Sequence, residues 1–259
     1  MMLSIPALAV YSLLLAFPAL IFYRLGIHKL RSLLFAFLRM IIQLTLIGVY
    51  LGGIFEYNSM LINVVWLIVM VLVANTAILR QSGLKWRVFA FSTVLAYLIT
   101  LSLTMVSLLI LLRPSVLFSA RHFIPLGGMV LGNILRSSIV ALERFYSSIH
   151  SGRDSLIHAF MLGAGRWEAV RPYLRQAVQG ALAPQIAVVA TMGLVSLPGM
   201  MTGQLLGGAS PEAAVRYQVM IMIAIFFTAS VSILLALLFS LPRAFDKYHR
   251  LRPGLLEEK

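Results

Sequence analysis

Residues 60–79 read MLINVVWLIVMVLVANTAIL, about twenty residues without one charged side chain. As an α-helix the run would rise about 30 Å, the thickness of a bilayer's hydrocarbon core. Arg80, Lys85 and Arg87 close it. An apolar run of this length closed by basic residues is the pattern of a helix that ends at the cytoplasmic face of a membrane.

Similar runs recur on both sides. They place spans at about 2–23, 33–55, 60–79, 88–112, 123–142, 180–207 and 214–241, with Pro and Gly interrupting the sixth. Six spans, with one run buried or re-entrant, is the alternative count. The first run starts at Met2 with no basic segment before it and no small-residue cleavage signal, so it reads as a retained span. Basic residues alternate sharply between loops. Arg24, Lys29 and Arg31 follow the first span, and Arg144, Arg153, Arg166, Arg171 and Arg175 follow the fifth. Arg243, Lys247, Arg250, Arg252 and Lys259 follow the seventh, whereas the opposite side carries Arg113, Arg121 and Arg216 with Glu56 and Glu212. The alternation puts the N-terminus outside and the C-terminus inside.

Composition agrees. Of 259 residues, 61% are hydrophobic and 11% charged, and the mean hydropathy is +0.96. No stretch reads as a soluble domain, so residues 1–259 form a single all-α, polytopic membrane domain. The net charge of +13 would suggest nucleic acid in a soluble protein. Here it reports basic cytoplasmic loops and attraction to anionic lipid, and no nucleic acid is expected as a partner.

Several functions are set aside by what is missing. No G-x-x-x-x-G-K-[ST] occurs, so the chain has no P-loop. None of the eight carboxylates lies mid-span, which argues against a proton- or sodium-coupled carrier, although backbone carbonyls can also bind ions. The five histidines sit at membrane edges or in loops, and there is no Cys. A membrane hydrolase would need a nucleophile with its base, or a metal-binding pair, and the spans offer neither.

The sizeable loop is 143–178. Leu156, Ile157, Phe160 and Met161 have helical spacing, and Asp154 or Ser155 can cap the start. Gly163-Ala164-Gly165 breaks that helix. A second follows, with Trp167, Val170, Leu174, Ala177 and Val178 on one side, and leads into a span at Gly180. Spacing alone admits an amphipathic helix lying on lipid as readily as one that docks on a partner. The stretch AFMLGAGRWEAVRPYLRQAVQGALAP, 159–184, resembles the EAA-type loop of ABC importer permeases, although His158 stands where an acidic residue is expected. That resemblance implies that Leu162, Gly163, Ala164, Gly165 and Trp167 couple the spans to an ATPase.

Further along, ATMGLVSLPGMMTGQLLGG covers 190–208. Pro198 and Gly199 should kink or unwind the helix, and a break within a membrane must line a cavity or be buried in protein. Gly199, Gly203 and Gly207 recur at fourfold spacing, as do Gly128 and Gly132 and, in the second span, Gly48 and Gly52. Such ladders permit close helix contact, between spans five and six or across a dimer. Asn133 and Arg136 share one helix face, directed to the bundle interior or a wet cavity, with snorkelling open to the Arg. Arg39 with Gln43, and Asn75, read singly as packing glue. Methionines cluster in the last three spans, either as soft ligands or as gap fillers.

FIPLGGMVLGN at 123–133, the LGAG turn at 162–165, and GLVSLPGMMTG with ASPEAAVRYQVM between 193 and 220 together resemble the FetB-type iron-export permeases, a family related to plant aluminium-tolerance half-transporters. RMIIQL at 39–44 and Asn75 also fit. The resemblance implies a permease of the inner membrane, homodimeric and bound to a FetA-like cytoplasmic ATP-binding subunit. It implies export of iron, another metal or a metal complex. It implies no cofactor in this chain and no enzymatic activity of its own, ATP and Mg being handled by the partner. Met129, Asn133, Ser196, Met200 and Met201 would line the path. A permease of the same build for an organic solute such as a nucleotide-sugar, and an ion-coupled carrier, are the competing readings.

Overall fold

The computed structural model describes residues 5–27, 30–112, 119–195, 197–246, 251–252 and 254–255. The elements among them are helices, and an isolated antiparallel bridge pairs Phe245 with Leu251. The chain divides into two compact units, Met1–Tyr57 and Asn58–Lys259.

In the first unit, α1 (Ile5–Ser12), a 3-10 turn (Leu13–Leu15) and α2 (Ala16–Arg24) run on from one another, and α3 spans Leu30–Tyr57. The second unit holds α4 (Met60–Gln81), α5 (Trp86–Leu111), α6 (Ala120–Ser151), α7 (Arg153–Met161), α8 (Arg166–Thr191), α9 (Gly199–Leu206) and α10 (Pro211–Ala244). Five helices are long and apolar enough to cross a bilayer: α3, α4, α5, α6 and α10. Val10–Arg24 is a shorter apolar segment.

The second unit is built around α6 and α10, which pack on each other and each on α5 and α8; α6 also packs on α4, and α10 on α9. Spacing explains the contacts. On α4, Asn63, Leu67, Val71, Ala74 and Ile78 are buried at steps of three and four, a single stripe. On α10 the buried stripe includes Ala224, Thr228, Ser232, Ala236, Ser240 and Ala244. Small residues let helices approach closely, which matters in lipid, where packing and polar ties replace the hydrophobic drive between helices. Those ties are present. The Thr93 hydroxyl donates to Asn75 Oδ1 at 2.6 Å, joining α5 to α4. The Thr104 and Thr228 hydroxyls meet at 2.7 Å between α5 and α10. Tyr146 on α6 donates to Ser240 Oγ on α10 at 2.7 Å. Asn75 is therefore the interhelical glue expected of it.

Four expectations change. Residues 143–151 are not loop, because α6 continues to Ser151 with Leu142, Phe145, Tyr146 and Ile149 still buried at helical spacing. The start of α7 is capped by neither Asp154 nor Ser155; Gly152 holds the N-cap position without a side-chain bond. Within one chain, the glycines of α6 do not pack against span six. A Cβ at Gly127 would collide with Leu67, and one at Gly128 would lie 3.1 Å from Met70 Cε, both on α4. At Gly132, Gly199 and Gly203 a Cβ would meet nothing within 4 Å. Finally, the sixth run unwinds rather than kinks, and the unwinding begins ahead of Pro198. Helix α8 ends at Thr191, Met192 turns extended, and Gly193 takes φ +86°, a left-handed conformation that glycine adopts without penalty. Pro198 is the N-cap of α9 and begins a helix rather than bending one.

Beyond α10 the chain folds back. Arg252 N–H donates to Ala244 O and Lys85 N–H to Leu255 O, both at 3.0 Å, which lays the tail on the α4–α5 turn.

Candidate functional site

The break between α8 and α9 opens a cleft of about 1000 Å³. Its walls are the end of α8, the broken segment, α9 and α10, with Met192, Gly193, Pro198, Met201, Gln218 and Met222 among the lining. At the break α8 stops at Thr191 and α9 starts at Gly199, and Leu194 is left 91% exposed between them. A smaller cleft of about 230 Å³ adjoins it between α6, α8 and α10. The two share Val189, Met222 and Phe226. Asn133, Arg136 and Gln185 supply polar groups to the smaller one. Asn133 is held by its own helix, Nδ2 donating to Met129 O at 2.9 Å.

The chemistry of the clefts is neutral and apolar, with Arg136 the sole charged side chain among the residues lining the two. Among the described residues, no group of three or more His, Cys, Asp or Glu could hold a metal ion. Of the buried polar atoms without a hydrogen-bond partner, two line these clefts: Gln185 Oε1 and Gln218 Oε1.

The second feature is the α7–α8 corner. Leu162 caps α7, and Gly163 follows with φ +86°. Gly163 N–H donates to Phe160 O and Ala164 N–H to Ala159 O, both at 3.0 Å. This pair of bonds is a Schellman cap, which fixes the exit direction of the chain. Gly165 is the N-cap of α8, with ordinary negative φ. Tyr173, about two turns into α8, donates to Gly152 O at 3.2 Å and ties the two arms together. A groove of about 560 Å³ lies in the angle, lined by Leu156, Ala159, Gly163, Glu168 and Tyr173. The tip of the corner is apolar and open: Met161 is 78% exposed, Leu162 89% and Trp167 53%. From this corner α8 runs 26 residues to the break at the large cleft, with Pro172 and Pro184 inside it, a path of about 39 Å along the helix.

A family model described as an uncharacterised protein family, UPF0014, matches residues 5–245. The chain belongs to the UPF0014 family. It is 32% identical over 217 residues to the UPF0014 membrane protein slr1647 of Synechocystis, covering 80% of each chain. It is 28% identical over 254 residues to the probable iron export permease protein FetB of Escherichia coli, covering 98% of this chain and 96% of that one. It is 28% identical over 248 residues to the protein ALUMINUM SENSITIVE 3 of Arabidopsis thaliana, covering 95% and 89%. No solved structure matches it. With its apolar helices, this UPF0014 chain is a multi-pass membrane protein.

Within this UPF0014 fold the sequence-predicted residues separate into groups. Asn133 lines the smaller cleft and Met201 the larger. Met129 and Met200 are half-buried against the core, outside both clefts. Ser196 lies outside the described residues. Pro198 lines the large cleft, and Gly199 is the first residue of α9. Leu162, Gly163, Ala164, Gly165 and Trp167 all come together at the α7–α8 corner. Trp167 leaves the face on which Val170, Leu174 and Ala177 are buried and stands exposed. Sequence reasoning missed Gln185 and Gln218. The available signal was an amide inside an apolar run, which is costly in lipid unless it faces a partner or a cavity.

Proposed function

We propose that this UPF0014 chain is the permease subunit of an ABC-type transporter that exports iron, another metal or a metal complex from the cytoplasm. It crosses the inner (plasma) membrane about seven times with the N-terminus outside and the C-terminus inside, the broken α8–α9 pair forming the sixth crossing. It works as a homodimer with two copies of a FetA-like cytoplasmic subunit, which binds ATP and Mg and carries out hydrolysis. This chain holds no cofactor and is not itself an enzyme. Met129, Asn133, Ser196, Met200 and Met201 are proposed to line or support the path.

The observation that carries this reading is the continuity of α8. One helix begins at the corner formed by Leu162, Gly163, Ala164 and Gly165 and ends at the break beside Gly193. Exposed Met161, Leu162 and Trp167 offer the partner an apolar surface. The capped corner does not absorb motion, so a push on α7 becomes a movement of α8. Cleft linings without a carboxylate support a borrowed energy source, since a proton or sodium motor would call for an acidic relay. FetB, whose name states probable iron export, is similar over nearly the whole chain.

The test is reconstitution into liposomes with and without the ATP-binding subunit. Iron should cross when the subunit and ATP are both present. Unaided transport that follows a proton or sodium gradient would overturn the proposal. Cells with and without the gene should differ in iron content, and equal content with equal metal tolerance would remove the iron assignment.

A further inference from the structure

Gln218 is 7% exposed, lines the large cleft, and its Oε1 has no hydrogen-bond partner. Gln185 Oε1, in the adjoining cleft, is equally without one. A buried amide oxygen left unpaired is destabilising, and native structures keep few of them. Two such atoms on neighbouring clefts that share Val189, Met222 and Phe226 describe a site awaiting hydrogen-bond donors. Around them are thioethers of Met192, Met201 and Met222 and the ring of Phe226, which are polarisable and apolar. A bare metal cation would find no carboxylate there, and the charged side chain it would face is Arg136, of its own sign. Desolvating an unpaired charge in such a place is prohibitive.

We infer that Gln218 and Gln185 bind the cargo by accepting hydrogen bonds from it, and that the cargo is a neutral, apolar-faced molecule bearing N–H or O–H groups. A metal crosses wrapped in such an organic ligand, not as the free ion. The inference rests on the clefts being the transport path and adds the chemistry of what fills them.

Two probes separate this from its rivals. The ferric acetohydroxamate complex with three ligands is neutral and carries one N–H on each. Its N-methyl counterpart has the same charge and none. Binding of radio-iron in each form to the full-length chain in lipid nanodiscs is measured by equilibrium dialysis, with the free ligand in excess. The N–H complex should bind roughly tenfold tighter than the N-methyl complex, the size expected for a buried acceptor gaining or losing its donor. Gln218→Met, which keeps volume and removes the acceptor, should abolish that preference. Gln185→Met, on another helix, should reduce it and carries the test if the first variant does not fold. Equal binding of both complexes, a preference that survives both substitutions, or no binding of either complex would overturn the inference. So would displacement of the complex by an equal concentration of ferrous ion. The ATP dependence of iron transport is measured separately, so loss of this inference leaves the permease proposal standing or falling by its own test.

Discussion

Asn75, Thr104 and Tyr146 lie in the bundle of α4, α5, α6 and α10, and each meets a side chain from another helix. Gln185 on α8 and Gln218 on the cleft-lining face of α10 have amide oxygens that meet none. Glycines divide the same way. Gly127 and Gly128 are filled against Leu67 and Met70, whereas Gly199 and Gly203 face open space, as does Gly132 on the cleft-facing part of α6 beside Asn133. In a membrane, where apolar contact alone does little to select a partner helix, polar ties and small-residue contacts mark what stays together. Polar groups and glycines left without such contacts mark what meets something else or moves.

The contrast can be broken most forcefully at Gly127. Gly127→Leu would force a side chain into Leu67 and should cost about 2–3 kcal/mol by overpacking, seen as a lower unfolding temperature in detergent. Gly203→Leu, into open space, should leave that temperature unchanged; equal losses would erase the distinction between bundle and arm. Next is the corner. Gly163→Val places a β-branched residue at φ +86°, a strain of about 2 kcal/mol. Transport-coupled ATP hydrolysis should fall about tenfold, the rate equivalent of at least 1.4 kcal/mol. Gly165→Ala, at ordinary φ, should retain it, and undiminished coupling in Gly163→Val would refute the lever. A smaller loss is expected at Tyr146→Phe, about 1 kcal/mol for one buried tie. Smallest of all is the stability effect of Gln218→Met, whose amide oxygen has no bond to lose. Its unfolding temperature should hold or rise, and a fall as large as that of Tyr146→Phe would make Gln218 a structural residue.

Much of the bundle was legible in the chain. The run at 60–79 became Met60–Gln81, and the predicted 88–112 became Trp86–Leu111, because long apolar segments ending at basic residues have few other solutions. The continuation of α6 to Ser151 was also written there. Leu142, Phe145, Tyr146 and Ile149 keep the helical step past the predicted membrane edge, where hydropathy falls but packing continues. Other features were not readable. Pro198 marks the end of the break, but where the break begins, at the positive φ of Gly193, leaves no trace in composition. Whether Gln218 has a partner depends on which side chains face it from other helices, which spacing along one helix cannot give. The same holds for Gly127, whose neighbour Leu67 is on α4.

The capped corner has a mechanical consequence. Helix α7 has 9 residues and α8 has 26, arms of about 13 Å and 39 Å meeting at a stiff elbow. The exposed Met161, Leu162 and Trp167 sit on the elbow itself, so a push there is delivered to the start of α8. Displacement of the elbow then reaches the break beside Gly193 through a single helix, with Pro172 and Pro184 the places along it where that travel could be redirected.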